Sequence, residues 1–294
     1  MKSTAKLRQA VLLRAREVYM RSIGRSVLAV FFLLLQQVLC VLFSSGVATK
    51  VGEASTFNIS GYPVNWLNYV LFFVLNALFG PIMLGVSEYF LIMLRTRNGR
   101  VVNIFNWFSE PSKLRRGLNF GLYHSSVTVI INLICEIPAV VLFKAGYSLT
   151  DMNTLLTESL TPNPAAVTLS VMTTVISLIL QIPLLYLLAT EYIMIDSPSK
   201  GIFQAIHESV RLMKGHIWSY VLMVLRILPL LFLISGCGFL IIFGYGFYYM
   251  IRSAYVDVLL IQSYISEAGY SPGGTTPKDV TPLDDKPPSE PPEE

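Results

Sequence analysis

The sequence has little charge for its length. Only 14% of its 294 residues are charged, against about 25% in typical soluble domains, and 53% are hydrophobic. The mean hydropathy of +0.59 is likewise typical of a membrane protein. The composition therefore argues against an ordinary water-soluble globular domain, and we expect no nucleic-acid partner.

Cysteine and histidine are also scarce. The three cysteines, Cys40, Cys135 and Cys237, lie in or beside apolar runs, and no CxxC pair or metal-ligand spacing accompanies them. Neither a disulfide framework nor a zinc site is indicated. We expect no metal and no cofactor.

Catalytic motifs are missing as well. The run HESVR begins at His207 like the zinc-protease motif HExxH, but the position that needs the second histidine is Arg211. His216 lies nine residues after His207, on the opposite side of a continuous helix. The chain has no GxSxG elbow, phosphate-binding loop or dinucleotide fingerprint. We therefore predict no catalytic residues and do not expect an enzyme.

What the chain does contain is long apolar stretches. About 20 apolar residues are needed to cross a hydrocarbon core of about 30 Å. The last stretch is long enough for two crossings and divides near the SGCG run at 235–238. We predict an all-α polytopic fold of six transmembrane helices in three hairpins. A cleaved signal peptide at the first stretch is the alternative, but the long N-terminal region and the later spans favour a retained helix. The predicted stretches are 27–47, 66–94, 118–143, 165–195 and 217–265.

Basic residues in the short loops predict the orientation, because Lys and Arg favour the cytoplasmic side. Sixteen fall on one predicted side, in residues 2–25, 95–116 and 200–214, and only Lys50 and Lys144 fall on the other. Both termini are therefore predicted to be cytoplasmic.

Three regions follow from this organisation: a basic N-terminal segment (1–26), a membrane domain (27–265) and a tail (266–294). The tail holds seven prolines and seven of the 18 acidic residues but only two of the 22 basic ones, which leaves the rest at +9. Such a segment cannot bury enough apolar surface to fold, so we predict disorder. It is either simply solvated or binds the basic cytoplasmic face or a partner.

An amphipathic helix is predicted between the fourth and fifth spans, over residues 198–214. With about 100° per residue, Lys200, Arg211 and Lys214 share one face, and apolar residues occupy the opposite one. The basic face predicts contact with anionic lipid head groups, and the apolar face with lipid or with the bundle.

Five charged residues lie within the predicted spans, where an ionisable group is costly without a partner or water. We interpret them as a candidate intramembrane polar network. Three roles for these residues remain open: a polar contact that fixes helix packing, a site for protons, ions or head groups, and side chains that snorkel to the interface. Similar depths predict that Arg226 pairs with Asp257, Glu88 or both. The five are Glu88, Glu191, Arg226, Arg252 and Asp257.

Small residues and prolines give packing cues. Gly117, Gly121 and Ser125 form a stripe at which a neighbouring helix could approach closely. Prolines within spans predict kinks. Glu136, followed by Pro138, is placed toward the outer end. The prolines are Pro81, Pro138, Pro183 and Pro229.

A family resemblance rests on the segment SPSKGIFQAIHESVRLMKGHIW (197–218) and the later AYVDVLL. This part of the chain resembles an uncharacterised bacterial membrane family known as domain of unknown function 975, and is similar to the membrane domain of some glycerophosphodiester phosphodiesterases. The shared pattern takes in Ala205, Ser209, Met213, Gly215 and Trp218. Gly244 and Tyr245 stand where members often have a proline–tyrosine pair. The resemblance implies a multi-pass protein of the bacterial cytoplasmic membrane.

Two functions remain open after these steps. The first is a non-catalytic integral membrane protein that organises or associates with lipid or protein partners at the inner membrane face. The second is a transporter or channel for a small molecule, ion or lipid that uses the charged layer. A lipid-directed enzyme is less favoured, because no catalytic constellation is present.

Overall fold

The computed structural model describes residues 2–52, 56–59, 62–144, 164–235 and 241–267. Almost all of them are helical, so the predicted helical class is confirmed. The predicted turn near 236–238 and the tail beyond 267 lie outside these residues. The helices are α1 (Lys2–Arg21), α2 (Ile23–Val51), α3 (Trp66–Leu78), α4 (Gly80–Thr96), α5 (Pro111–Cys135), α6 (Ile137–Lys144), α7 (Pro164–Tyr186), α8 (Thr190–Asp196), α9 (Ile202–Met213), α10 (Ile217–Ser235) and α11 (Ile241–Glu267), with a 3₁₀ helix at Val101–Phe108.

Several helices are long and apolar enough to cross a membrane. Within the described residues there are three, Ile23–Val51, Pro111–Val141 and Val171–Asp196, and a fourth if the bent pair α3–α4 is one span. Ile217–Pro229 is apolar but shorter. The chain is therefore built as a membrane protein, and the predicted six spans in three hairpins stay a prediction.

The α3–α4 pair bends by 46° where the chain reaches Gly80 and Pro81. A Cβ atom added to Gly80 would lie 2.3 Å from the carbonyl oxygen of Gly117, and one added to Gly121 would lie 2.1 Å from that of Ala77. Only glycine permits backbones to approach so closely. The close helix approach predicted from the stripe in α5 is thus confirmed at Gly121, and at Gly117 through its contact with Gly80.

A short antiparallel hairpin, which the sequence analysis did not predict, precedes α3. Its strands are β1 (Thr56–Ile59) and β2 (Tyr62–Asn65), with Thr56 opposite Asn65. Tyr62 of β2 and Tyr69 of α3 donate hydrogen bonds of 3.2 and 2.8 Å to the carboxylate of Glu136, at the bend between α5 and α6. Burial, together with this carboxylate, raises the pKa of Tyr62 to about 12.

Helix α1 is part of the core rather than a loose basic segment. It packs along α11, and Val11, Ala15 and Val18 are buried there. The hydroxyl of Tyr19 donates a 2.8 Å hydrogen bond to the carbonyl oxygen of Phe243, and burial raises the Tyr19 pKa to about 12. The N-terminal segment therefore helps to hold the C-terminal helix in place.

Helix α9 docks on α8 through a face of small and apolar residues. Ala205, Ser209 and Met213 are buried, one helical turn apart. The Ser209 hydroxyl donates a 2.7 Å hydrogen bond to the carbonyl oxygen of Tyr186 and accepts one of 3.1 Å from the backbone N–H of Ala189. These bonds satisfy backbone groups left over where α7 gives way to α8.

Candidate functional site

A cavity of about 280 Å³ lies among α2, α4, α5, α11 and the α7–α8 region. Leucines, Met83 and Phe120 give much of its wall an apolar character. Apolar walls with a few converging polar groups are the usual composition of a small-molecule site. The polar residues of the wall are Ser87, Tyr123, His124, Thr190, Glu191, Tyr248, Tyr249 and Arg252.

The charged part of this wall is one ion pair. Arg252 Nη2 of α11 lies 2.7 Å from Glu191 Oε1 of α8, and both side chains are largely buried. The guanidinium carbon also lies 5.9 Å from the ring centroid of Tyr192 and 5.7 Å from that of Tyr249. Contacts with a carboxylate and two aromatic rings fix the position of the guanidinium group.

Besides Glu191 Oε1, whose contact with Arg252 is an ion pair, three buried polar atoms on residues that line the cavity have no hydrogen-bond partner among the described residues: Arg252 Nε, Tyr123 Oη and Thr190 Oγ1. Most buried polar atoms in proteins have at least one partner, so each such atom calls for an explanation. An arginine Nε can only donate, which makes its missing partner an acceptor. Residues of the cavity wall therefore carry hydrogen-bonding atoms that no described residue uses.

A second buried acid forms a different cluster. Asp257 of α11, with a side chain only 1% exposed, lies 2.8 Å from Arg95 Nε of α4 and 3.8 Å from Arg14 Nη2 of α1. Arg95 also bonds both carboxylate oxygens of Asp196, at 2.7 Å each. The cluster connects four helices that are distant in sequence.

Glu88 and Arg226 belong to neither group. Glu88 Oε2 accepts a 2.7 Å hydrogen bond from the indole N–H of Trp107, and Arg226 is exposed on α10. The predicted pairing of Arg226 with Asp257 or Glu88 is wrong, because Asp257 takes Arg95 and Arg14 as partners instead. Equal depth along two helices does not imply that the side chains face each other.

The residues of the predicted basic face lie along α9 and at its two ends, with Lys200 just before the helix and Lys214 just after it. Arg211 and Lys214 are exposed, and Lys200 Nζ lies 2.5 Å from Glu208 Oε2. Two large apolar side chains of this region are exposed. Phe203 of α9, at 84%, lines a groove together with Lys200 and Arg211, and Trp218, at the start of α10, is 77% exposed. The surface thus combines positive charge with bulky aromatic groups.

Sequence reasoning missed several residues of these sites. Arg14 and Arg95 were counted as loop charges, although each reaches the buried Asp257. One feature of the sequence could have indicated the Arg95–Asp196 pair: each residue lies at the end of an apolar stretch, on the same predicted side of the membrane. Nothing in the sequence around Tyr123 or Thr190 indicated that they line a cavity.

No group of three or more possible metal-ligating side chains occurs in the described parts of the chain.

Most of the sequence matches a known protein family. Residues 4–267 match the family described as "Protein of unknown function (DUF975)". The chain belongs to this family. No curated protein and no solved structure matches it. The match includes α1 as well as the apolar helices that follow it, in agreement with the docking of α1 in the core.

Proposed function

We propose that this DUF975 protein is a non-catalytic, multi-pass protein of the bacterial cytoplasmic membrane that associates with anionic lipid at the inner face. The observation that carries the proposal is the exposed surface of α9. The helix is fixed to the bundle through Ser209 and Ala205, and it leaves Phe203 exposed beside Lys200 and Arg211. Trp218, at the start of α10, is exposed as well.

Aromatic side chains favour the interface between head groups and acyl chains, and lysine and arginine favour lipid phosphates. A shallow groove lined by Lys200, Phe203, His207 and Arg211 places the aromatic ring and the cations on one surface. Because Lys200 is already paired with Glu208, it should contribute less than a cation without such a neighbour. A protein partner that carries negative charge would use the same surface.

The test measures stabilisation of the detergent-purified protein by phosphatidylglycerol compared with phosphatidylcholine. Each surface cation contributes about 1 kcal/mol toward an anionic membrane, so changing Lys200, Arg211 and Lys214 to Gln should weaken the phosphatidylglycerol effect about 10- to 100-fold in apparent affinity. The matched control changes Lys50 and Lys144 to Gln, on the side predicted to be external. Equal losses in the two variants would contradict the proposal.

The topology that we propose has six spans with both termini cytoplasmic, because the basic residues divide 16 to 2 between the two sides. Reporter fusions after residues 55, 105, 155, 205 and 270 should report outside, inside, outside, inside and inside. An external signal at 205 would place α9 on the wrong side for the lipid proposal. The likeness of 196–260 to the membrane domain of glycerophosphodiester phosphodiesterases also stays a prediction.

A transporter or channel for a small molecule, ion or lipid is the second candidate. The observation that favours it is the cavity of about 280 Å³ with the Glu191–Arg252 pair in its wall. Uptake of a labelled solute into vesicles that contain the protein would distinguish it from the first candidate, which requires binding but no flux.

A further inference from the structure

We infer that the cavity beside Glu191 and Arg252 is a binding site for a small zwitterion, a molecule that carries an ammonium group and a carboxylate or phosphate on a short apolar body. This site is independent of the lipid surface on α9. It uses different helices and buried rather than exposed groups.

The charge of the wall selects the charge of the ligand. Glu191 and Arg252 cancel each other at 2.7 Å, and among the described residues no other acidic, lysine or arginine side chain contributes to the wall. A ligand with a single net charge would therefore leave a net charge buried in the bundle, which is costly in a membrane protein. A zwitterion adds no net charge. Its oxyanion can approach the guanidinium group while its ammonium approaches the carboxylate.

The hydrogen-bonding groups without a described partner also suit the charged groups of a zwitterion. Arg252 Nε lacks an acceptor, and the hydroxyls of Tyr123 and Thr190 lack any partner among the described residues. The oxyanion of a zwitterion supplies several acceptor positions. Because Tyr192 and Tyr249 hold the guanidinium group in place, little ordering of the protein is needed on binding.

The size and the apolar part of the wall limit the rest of the ligand. At about 30 Å³ for each water-sized group, 280 Å³ accommodates about nine such groups, which is the size of L-leucine. Met83, Phe120, Leu184 and Leu188 line the cavity and can contact a branched apolar body. The same head-group chemistry is found in a free apolar amino acid and in the ethanolamine head group of a phospholipid.

The first experiment measures thermal unfolding of the full-length protein in a neutral detergent, with either L-leucine or short-chain phosphatidylethanolamine added. A shift with leucine identifies a free amino acid, and a shift with phosphatidylethanolamine alone identifies the lipid head group. Isocaproate lacks the ammonium group of leucine and isoamylamine lacks its carboxylate, so neither should match leucine. Phosphatidylcholine is the control for the lipid, because its quaternary ammonium cannot donate a hydrogen bond.

The second experiment repeats the titrations with Tyr123→Phe and Thr190→Val. Neither hydroxyl has a described partner, so both variants should fold as stably as the parent, while each loses a hydrogen bond to a charged head group and binds about tenfold more weakly. The matched control is Ser125→Ala, which removes another buried hydroxyl without a described partner, on α5 but outside the cavity wall. It should bind like the parent.

Three results would overturn the proposal. The first is that neither probe shifts the unfolding temperature, which would mean that the cavity holds only water. The second is that a single-charge analogue binds as tightly as the zwitterion it resembles. The third is that Tyr123→Phe and Thr190→Val both bind like Ser125→Ala.

Discussion

Replacement of Arg95 by methionine should lower the free energy of unfolding by about 3 kcal/mol, because removal of one member of a buried ion pair leaves the other uncompensated. Asp257 is only 1% exposed and would keep only Arg14, at 3.8 Å. The expected loss is at the low end for buried pairs, because Arg95 itself is 36% exposed. Thermal unfolding in detergent is the measurement.

The matched control is Arg97→Met, two residues further along. Arg97 pairs with Glu17 at 3.4 Å, but both side chains are exposed, at 59% and 47%. An exposed pair contributes about 0–1 kcal/mol, so this variant should unfold close to the parent temperature. If the two variants lost the same stability, burial of Asp257 would not be the cause.

A double variant separates the two carboxylates that Arg95 contacts. Adding Asp257→Leu to Arg95→Met removes the stranded buried acid and should recover the part of the loss that comes from it. The part that comes from Asp196 should remain, since Asp196 loses its bidentate partner in both variants. Strict additivity of the two single changes would show that Arg95 and Asp257 are not coupled.

These charged residues show what the sequence can and cannot predict. The cost of a charge in an apolar helix marked Glu191, Arg252 and Asp257 as residues that need partners, and each of the three has an ionic partner in the structure. It could not choose the partners, because depth along a helix is a single coordinate and pairing also depends on rotation about the axis. Arg226 has a suitable depth, but it is exposed on α10.

The sequence predicted features within one helix better than contacts between helices. The amphipathic character of residues 198–214 follows from helical periodicity. In the structure α9 buries Ala205, Ser209 and Met213, whereas Phe203 and Val210 of its apolar side are exposed. The sequence left open whether the buried face meets lipid or protein. That depends on Ser209 meeting the backbone of Tyr186 and Ala189, which are about 20 residues away along the chain. The cavity was not predictable, since six helices of the fold contribute to its wall.

Replacement of Gly121 by alanine should cost about 2–3 kcal/mol of unfolding free energy, although alanine is the better helix former. The new Cβ would lie 2.1 Å from the carbonyl oxygen of Ala77 and 2.9 Å from the Cα atom of Gly80. Both are backbone atoms, so no side-chain rotation can relieve the clash, and α3 and α5 must move apart along their shared contact.

The comparison that isolates this effect is Gly46→Ala in α2. Nothing lies within 4 Å of a Cβ added there, so the variant keeps the gain in helix propensity and has no clash. It should be neutral or more stable than the parent by up to about 1 kcal/mol. Unfolding temperatures of both variants in the same detergent provide the test. Equal behaviour of Gly46→Ala and Gly121→Ala would mean that α3 and α5 do not touch through their backbones.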